Sequence, residues 1–273
     1  MSAAATPPRR IGVLGAAGRM GQMLVRQIGE TDGATLAAAG DRAGHAALGR
    51  DAGQLAGLET LGIAITDDAA ALFKASQVVI DFTSPDATAS YAALAAQHGT
   101  ALVIGTTGLK PEHQAAIDRA AHKIAIVQAA NFSAGVTLLA ALTEQVARAL
   151  PALYDIEIVE MHHRHKVDAP SGTALALGSA AAQGRGLTLE SHAIRGRDGI
   201  TGARPMGPIG FAALRGGDVA GDHSVIFAGP GERLELTHKA SGRQVFAAGA
   251  VQAALWAVGK PPGRYDMRAV LGL

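Results

Sequence analysis

The sequence predicts an α/β protein in two parts, a doubly wound parallel sheet followed by a second α+β domain built on a mixed sheet. Three observations carry this expectation. Short apolar strands alternate with helical stretches through about residue 150. A glycine-rich turn joins the first strand to the first helix. Beyond residue 150, strand-like runs follow one another with hairpin punctuation between them.

Taken in order, residues 10–14 form a short apolar strand, and a glycine turn leads into a helix over 22–28. A second strand, 35–40, ends at Asp41. Strands at 77–82, 101–104 and 124–127 then alternate with helices at 87–97 and 111–122, the latter with Pro111 at its start. Their C-terminal ends carry Thr83-Ser84-Pro85, Gly105-Thr106-Thr107-Gly108 and Ala129-Ala130-Asn131-Phe132, where open parallel sheets bind ligands. Polar residues in such loops are ordinarily caps, and on that ground alone Thr106 and Asn131 read as structural. A helix over 135–150, about 24 Å long at 1.5 Å per residue, leads to a strand at 155–160 and a helix at 174–182. Strands at 209–214, 223–228 and 232–239 follow, the last two joined by Gly229-Pro230-Gly231. Residues 194–208, rich in Gly, Arg and Pro, read as a long loop over this sheet, and a final helix over 244–258 is expected to return to the first domain.

The turn after the first strand reads Gly15-Ala16-Ala17-Gly18-Arg19-Met20-Gly21. Strand, glycine turn and helix arrive in the order of a Rossmann-like dinucleotide site. Glycines there permit the tight turn, the approach of backbone to a pyrophosphate and close packing of the helix. The spacing G-x-x-G-x-x-G departs from G-x-G-x-x-G, so by itself it is a weak signal, with a structural glycine turn as the alternative. Asp41 supplies the acidic residue expected about twenty positions on, where ribose hydroxyls would lie, and Arg42 beside it suits a 2′-phosphate. The pair suggests that both NADH and NADPH are accepted.

A second signal lies at 161–172, where His162, His163, Arg164, His165 and Lys166 stand in succession between the strand at 155–160 and the helix at 174–182. With 24 Lys+Arg against 23 Asp+Glu in the whole chain, this is a local concentration of positive charge that focuses on an anion. Ser171 or Thr173 is the expected N-cap. The amides and dipole of that first turn add an anion site beside Lys166. A metal held by the three histidines is disfavoured by Arg164 and Lys166 and by the lack of a completing ligand, so no metal is expected. A solvated basic loop is the plain alternative.

Composition bounds the remaining possibilities. At 273 residues about two domains are expected, and 48% hydrophobic against 17% charged residues supplies their cores. The chain has no cysteine, which removes disulfide and thiolate chemistry and suits a reducing, cytoplasmic setting. Residues 1–10 lack an apolar h-region, so no signal peptide is expected. The uncharged stretch 125–143 is interrupted by Gln128, Asn131, Ser133 and Thr137 and reads as strand, loop and helix, so no membrane partner is expected. Aromatics are 4% and no basic run interleaves with them, so nucleic acid is not expected either.

Together these motifs resemble the 4-hydroxy-tetrahydrodipicolinate reductase (dihydrodipicolinate reductase) family of lysine and diaminopimelate biosynthesis. The likeness runs from Arg10 to about Leu271 through 15–21, Asp81-Phe82-Thr83, 105–108, 129–133, Glu160 to Thr173 and His238-Lys239-Ala240-Ser241, leaving 1–8 outside. It departs in carrying Asp41 where some members have Glu, which leaves cofactor preference open. The resemblance implies a dinucleotide-binding domain over 1–132, a substrate-binding and oligomerisation domain over 133–242, and a C-terminal helix and tail over 243–273 returning to the first. It assigns Gly15, Ala16, Ala17, Gly18, Arg19 and Met20 to the pyrophosphate, Asp41 to the ribose and Arg42 to a 2′-phosphate. It places Gly105, Thr106 and Thr107, with Ala129, Ala130, Asn131 and Phe132, on the nicotinamide side. His162 and Lys166 become the catalytic proton carriers, and His163, Gly172 and Thr173 hold the carboxylates of a small dicarboxylate substrate. A homotetramer is implied. Competing readings are a redox-sensing NAD(P)-binding regulator, which gives no reason for the His-Lys cluster, a histidine-ligated metal hydrolase, and an aspartate dehydrogenase, which shares only the glycine loop.

Overall fold

The computed structural model describes residues 7–273. Among these the chain divides into two units, one running to Ser133 and resuming over Gln244–Gly272, the other spanning Ala134–Arg243.

In chain order the first unit contains β1 (Arg9–Leu14), α1 (Arg19–Gly29), β2 (Ala34–Gly40), α2 (Ala52–Leu55), β3 (Ile65–Thr66), α3 (Ala69–Ala75), β4 (Val78–Asp81), α4 (Pro85–His98), β5 (Ala101–Ile104), α5 (Pro111–Ala121) and β6 (Ala125–Gln128). The second contains α6 (Ala134–Ala149), β7 (Asp155–His162), α7 (Gly172–Gly184), α8 (Leu189–His192), β8 (Ala193–Ile194), β9 (Ile209–Arg215), β10 (Gly221–Gly229) and β11 (Glu232–Ala240). The chain then rejoins the first unit through α9 (Gln244–Ala257), β12 (Gly263–Tyr265) and α10 (Met267–Leu271).

The first sheet has the order β12-β6-β5-β4-β1-β2-β3, with every pair parallel. A parallel sheet is covered on both faces, so its central strands are mainly apolar, and Val78 to Ile80, the closing Asp81 and Ala101 to Ile104 are buried at every position. Successive side chains go to opposite faces. Ile11, Val13, Ile80 and Val103 pack with Leu24, Val25 and Ile28 of α1 and with Ala250 and Ala254 of α9. Val79, Leu102 and Ile104 pack with Phe73, Ala92 and Ile117 from α3, α4 and α5.

The second sheet has the order β11-β10-β7-β9-β8 and is mixed: β10 runs antiparallel to β7 and β11, while β9 is parallel to β7 and to β8. One face is covered by α6 and α7, through Leu139, Ala147, Leu177 and Ala181 against Ile156, Ile158, Phe211 and Phe227. On β9 and β11, Leu214 is 50% and Leu234 43% exposed. The loop after β8 is pinned to β7 by charge. Arg204 reaches Asp155 at 2.6 Å and Glu157 at 2.8 Å, and Arg197 grips both oxygens of Glu157 at 3.0 and 2.8 Å.

Several boundaries differ from the sequence expectation for local reasons. Helix α1 begins at Arg19 rather than 22 because Gly18 takes the N-cap position. Helix α7 begins at Gly172 because Ser171 caps it, its hydroxyl accepting the Ala174 N–H at 3.1 Å. Strand β7 runs on to His162, carrying the alternation of Ile156 and Ile158 through Glu160 to His162 on the buried face. The expected loop 194–208 gives up Ile194 to β8, and β12 adds a strand from the C-terminal segment. Elements α2, α3, α8, α10, β3, β8 and β12 are each seven residues or shorter, too short for a periodic signal.

Candidate active site

In the first unit the expected cofactor residues gather at the C-terminal ends of β1, β2 and β4. Gly15 has φ +68°, a left-handed turn that favours glycine, and its carbonyl accepts the Gly18 N–H at 3.0 Å. A Cβ on Gly21 would stand 2.1 Å from the Gly15 carbonyl oxygen and 2.5 Å from the Ala16 Cα, so only glycine lets α1 close on its own loop. No side chain caps α1 and its first turn holds no acidic residue, which leaves a positive helix end. The Asp41 carboxylate accepts the Ala17 N–H at 3.0 Å and the Arg42 N–H at 2.9 Å, tying the end of β2 to the glycine loop. Gly15, Gly18, Asp41, Arg42, His45 and Thr83 line a cavity of about 310 Å³, the lower end of the range for small-molecule clefts. A backbone cradle that a Cβ would fill, a positive helix end and a carboxylate at the second strand fit a dinucleotide.

The expected nicotinamide-side residues are unequal. Thr106 is buried, and its hydroxyl accepts from the Thr83 N–H at 3.1 Å and lies 2.9 Å from the Thr88 hydroxyl. Asp81, fully buried, accepts from Thr83 and from the Thr88 hydroxyl, and burial raises its carboxyl above the ordinary range despite these bonds. A Cβ on Gly105 would strike the Phe82 ring at 2.2 Å. Phe132 is 1% exposed and packs against Phe82 with ring centroids 5.5 Å apart, so its ring belongs to the core. Asn131 turns back to accept the Ser133 N–H at 2.8 Å, while Thr107 and Ala130 are exposed. Ala16 is likewise a core residue, 2% exposed, and Arg19 is exposed.

In the second unit His162, His163, Lys166, Gly172 and Thr173 lie between the end of β7 and the first turn of α7. The His162 carbonyl accepts the Gly216 N–H at 2.9 Å and the His163 N–H donates to Val219 at 2.8 Å, so the turn after β9 pins the loop. Desolvation lowers the pKa of His163, and Arg243, His162, His165 and Lys166 lower it further. The Lys166 ammonium rests 2.8 Å from the Asp168 carboxylate, which it holds below the ordinary range. A Cβ on Gly172 would meet nothing within 4 Å, so the N-terminus of α7 opens onto free space.

Beneath this loop lies a group of residues for which sequence reasoning found no role. Glu160, 1% exposed, receives His162 Nδ1 at 2.5 Å, both Arg215 nitrogens at 2.8 and 2.9 Å, and the Ser171 N–H at 3.0 Å. Burial alone would raise its carboxyl, but Arg215 and His162 more than offset this and hold it below the ordinary range. His223, 3% exposed, meets the Ser171 hydroxyl through Nε2 at 3.0 Å, and burial pushes its pKa down to about 4. Glu160 was detectable as a charged residue in phase with Ile156 and Ile158 on a half-buried strand. Arg215 and His223 arrive through strand pairing, which no local signal announces.

Residues 9–132 match the family profile for Dihydrodipicolinate reductase, N-terminus, and residues 135–271 that for Dihydrodipicolinate reductase, C-terminus. The chain belongs to the dihydrodipicolinate reductase family. It is 57% identical over 261 residues to the 4-hydroxy-tetrahydrodipicolinate reductase of Ruegeria pomeroyi, covering 96% of this chain and 97% of that one. To the reductase of Rhizobium rhizogenes it is 58% identical over 262 residues, 96% of each chain. The solved dipicolinate-bound dihydrodipicolinate reductase of Paenisporosarcina sp. TG-14 is similar with a TM-score of 0.77 at 25% identity, covering 95% of this chain and 97% of that one. Among the described residues, no helix is long and apolar enough to cross a membrane.

Proposed function

We propose that this chain reduces 4-hydroxy-tetrahydrodipicolinate, through its dehydrated form, to tetrahydrodipicolinate at the expense of NADH or NADPH, in diaminopimelate and lysine biosynthesis. The observation that carries this reading is likeness to named reductases over 96% of the chain, at 55% to 58% identity to three of them. The first unit holds the cofactor: the α1 N-terminus and glycine loop take the pyrophosphate, Asp41 the adenosine ribose and Arg42 the 2′-phosphate of NADPH. When bound, the nicotinamide supplies the hydride that adds to the conjugated ring.

The second unit holds the substrate and moves the proton. The N-terminus of α7 at Gly172 and Thr173, with His163, receives a carboxylate and fixes the ring's position. As negative charge develops toward the ring nitrogen, His162 or Lys166 stabilises and protonates it, worth about 10²- to 10⁴-fold for a positioned general acid. Lys166, paired with Asp168 at 2.8 Å, leaves that carboxylate to turn its ammonium toward the ring nitrogen. Loss of the substrate hydroxyl as water precedes hydride addition, so no metal is needed to activate a nucleophile. A homotetramer is the assembly that the family resemblance implies, with Leu214, 50% exposed on the face of the second sheet away from α6 and α7, available to it, and a biosynthetic role suits the cytoplasm. The test is loss of NADH or NADPH with freshly made synthase product. Turnover with either supports the reading, and no loss of either refutes it.

A further inference from the structure

We infer that Glu160 is a positioning residue for the reduction, holding the His162 ring with its proton on Nδ1 and Nε2 turned to the substrate, and that Arg215 keeps the Glu160 carboxylate in place. The inference rests on the reductase reading and concerns its proton carrier: Nε2 of the oriented ring takes a proton from solvent, Glu160 stabilises the imidazolium so formed, and Nε2 then gives that proton to the substrate.

The geometry is that of a carboxylate with every acceptor position in use. Oε2 takes His162 Nδ1 at 2.5 Å and one Arg215 nitrogen at 2.8 Å, while Oε1 takes the other Arg215 nitrogen at 2.9 Å and the Ser171 amide at 3.0 Å. An ionised carboxylate only accepts, so the proton in the first of these bonds sits on the imidazole, on Nδ1. The second ring nitrogen, Nε2, makes no protein hydrogen bond among the described residues. Gly221, with φ +154°, borders it, and a Cβ there would stand 3.0 Å from Nε2. A ring oriented through one nitrogen offers the other for proton transfer, the general logic of a base held by a third group.

Other partners fix the carboxylate rather than the ring. Strand register sets Arg215 opposite His162, and the same guanidinium donates to the Asp168 carbonyl at 2.6 Å, so it spans both ends of the loop that carries Lys166. The Ser171 amide belongs to the N-cap of α7, so Glu160 also joins the proton carrier to the helix start that receives the substrate carboxylate. Charged and titratable groups around the ring are Glu160 on its own strand, Arg215 on β9, His223 on β10 and His163 next in the chain, with Lys166 on the loop paired to Asp168 at 2.8 Å. Glu160 is the carboxylate that the ring itself meets.

Three measurements on the whole protein test the proposal. In wild type the imidazole ¹⁵N shifts of His162 should place the proton of the neutral ring on Nδ1, and in Glu160→Gln the two tautomers should mix. This readout stands whether or not the reductase reading does. In turnover, Glu160→Gln should lower kcat about 10- to 1,000-fold, with dipicolinate affinity within about threefold of wild type, and move the limb where the acid loses its proton to lower pH. In Glu160→Gln with His162→Ala, kcat should equal that of His162→Ala alone, since Glu160 acts through that ring. If Glu160→Gln does not fold, Arg215→Lys takes its place, with a loss of about three- to tenfold and the same direction of pH shift. A wild-type proton on Nε2, an unchanged kcat, a fall in kcat matched by lost dipicolinate affinity, or additive losses in the double variant would each overturn it. A wild type that consumes neither NADH nor NADPH, yet carries the Nδ1 proton, would refute the reductase reading and leave the tautomer assignment standing.

Discussion

His223 stands edge-on to His162, their ring centroids 5.1 Å apart and their planes at 76°. One imidazole is buried and bonded to the Ser171 hydroxyl, while the other is bonded to Glu160. Burial keeps His223 neutral and pushes its pKa down to about 4, and the adjacent His162 imidazole adds to this by disfavouring a second positive charge.

That burial has a consequence for stability. The folded protein refuses a proton that the unfolded chain accepts from the ordinary histidine value of 6.5 downward. The contribution of His223 is therefore full above about 6.5 and is lost as pH falls toward about 4, amounting to about 3 kcal/mol across the window. Urea unfolding at pH 7 and pH 5 should show lower stability at the acid end, and His223→Gln should flatten that difference. An unaltered pH slope in the variant would assign it to other groups.

Gly21→Ala should damage cofactor binding from within the loop. The added methyl would lie 2.1 Å from the Gly15 oxygen, and the contact is backbone, so neither side can swing away. Overpacking of this kind costs about 1 to 3 kcal/mol. Thermal melting should fall, and NADH titration should weaken at least tenfold, whereas unchanged NADH affinity would remove the glycine loop from the cofactor site.

Arg42→Ala should separate the two cofactors, because only NADPH carries the 2′-phosphate. Arg42 is exposed at the rim of the cavity beside Asp41. Loss of a charge-assisted contact should weaken NADPH about ten- to hundredfold and spare NADH. Equal losses in the two KM values would show that this guanidinium does not read the phosphate.

Much of the fold and of the site is legible in the amino-acid sequence. Alternation of apolar strand and helix, with Pro111 at a helix start, marks the first unit because each signal is local, whereas Pro85, read as part of a strand-end loop, opens α4 two residues before the expected 87. The glycines at 15, 18 and 21 and the cluster from His162 to Lys166 are visible for the same reason. Contacts made through tertiary pairing are not. Arg215 lies 55 residues from Glu160 in sequence, and the three-residue β12 joins β6 from more than a hundred residues away. The hydroxyl of Thr106 joins the buried Asp81 network, a contact made through Thr83 and Thr88 of neighbouring elements that the loop's own residues do not announce. Phe132 is likewise a residue placed at a cofactor loop whose ring is core.

The central claim is that the loop from His162 to Lys166 performs proton transfer, and steady-state turnover of His162→Ala and Lys166→Ala with freshly made synthase product tests it most directly. Each variant should lose about 10²- to 10⁴-fold in kcat while NADH affinity, set by the other unit, stays within a few-fold of wild type. If instead both variants keep near-normal kcat and show only a raised substrate KM, the loop binds a carboxylate and carries no proton, which contradicts the proton-transfer mechanism.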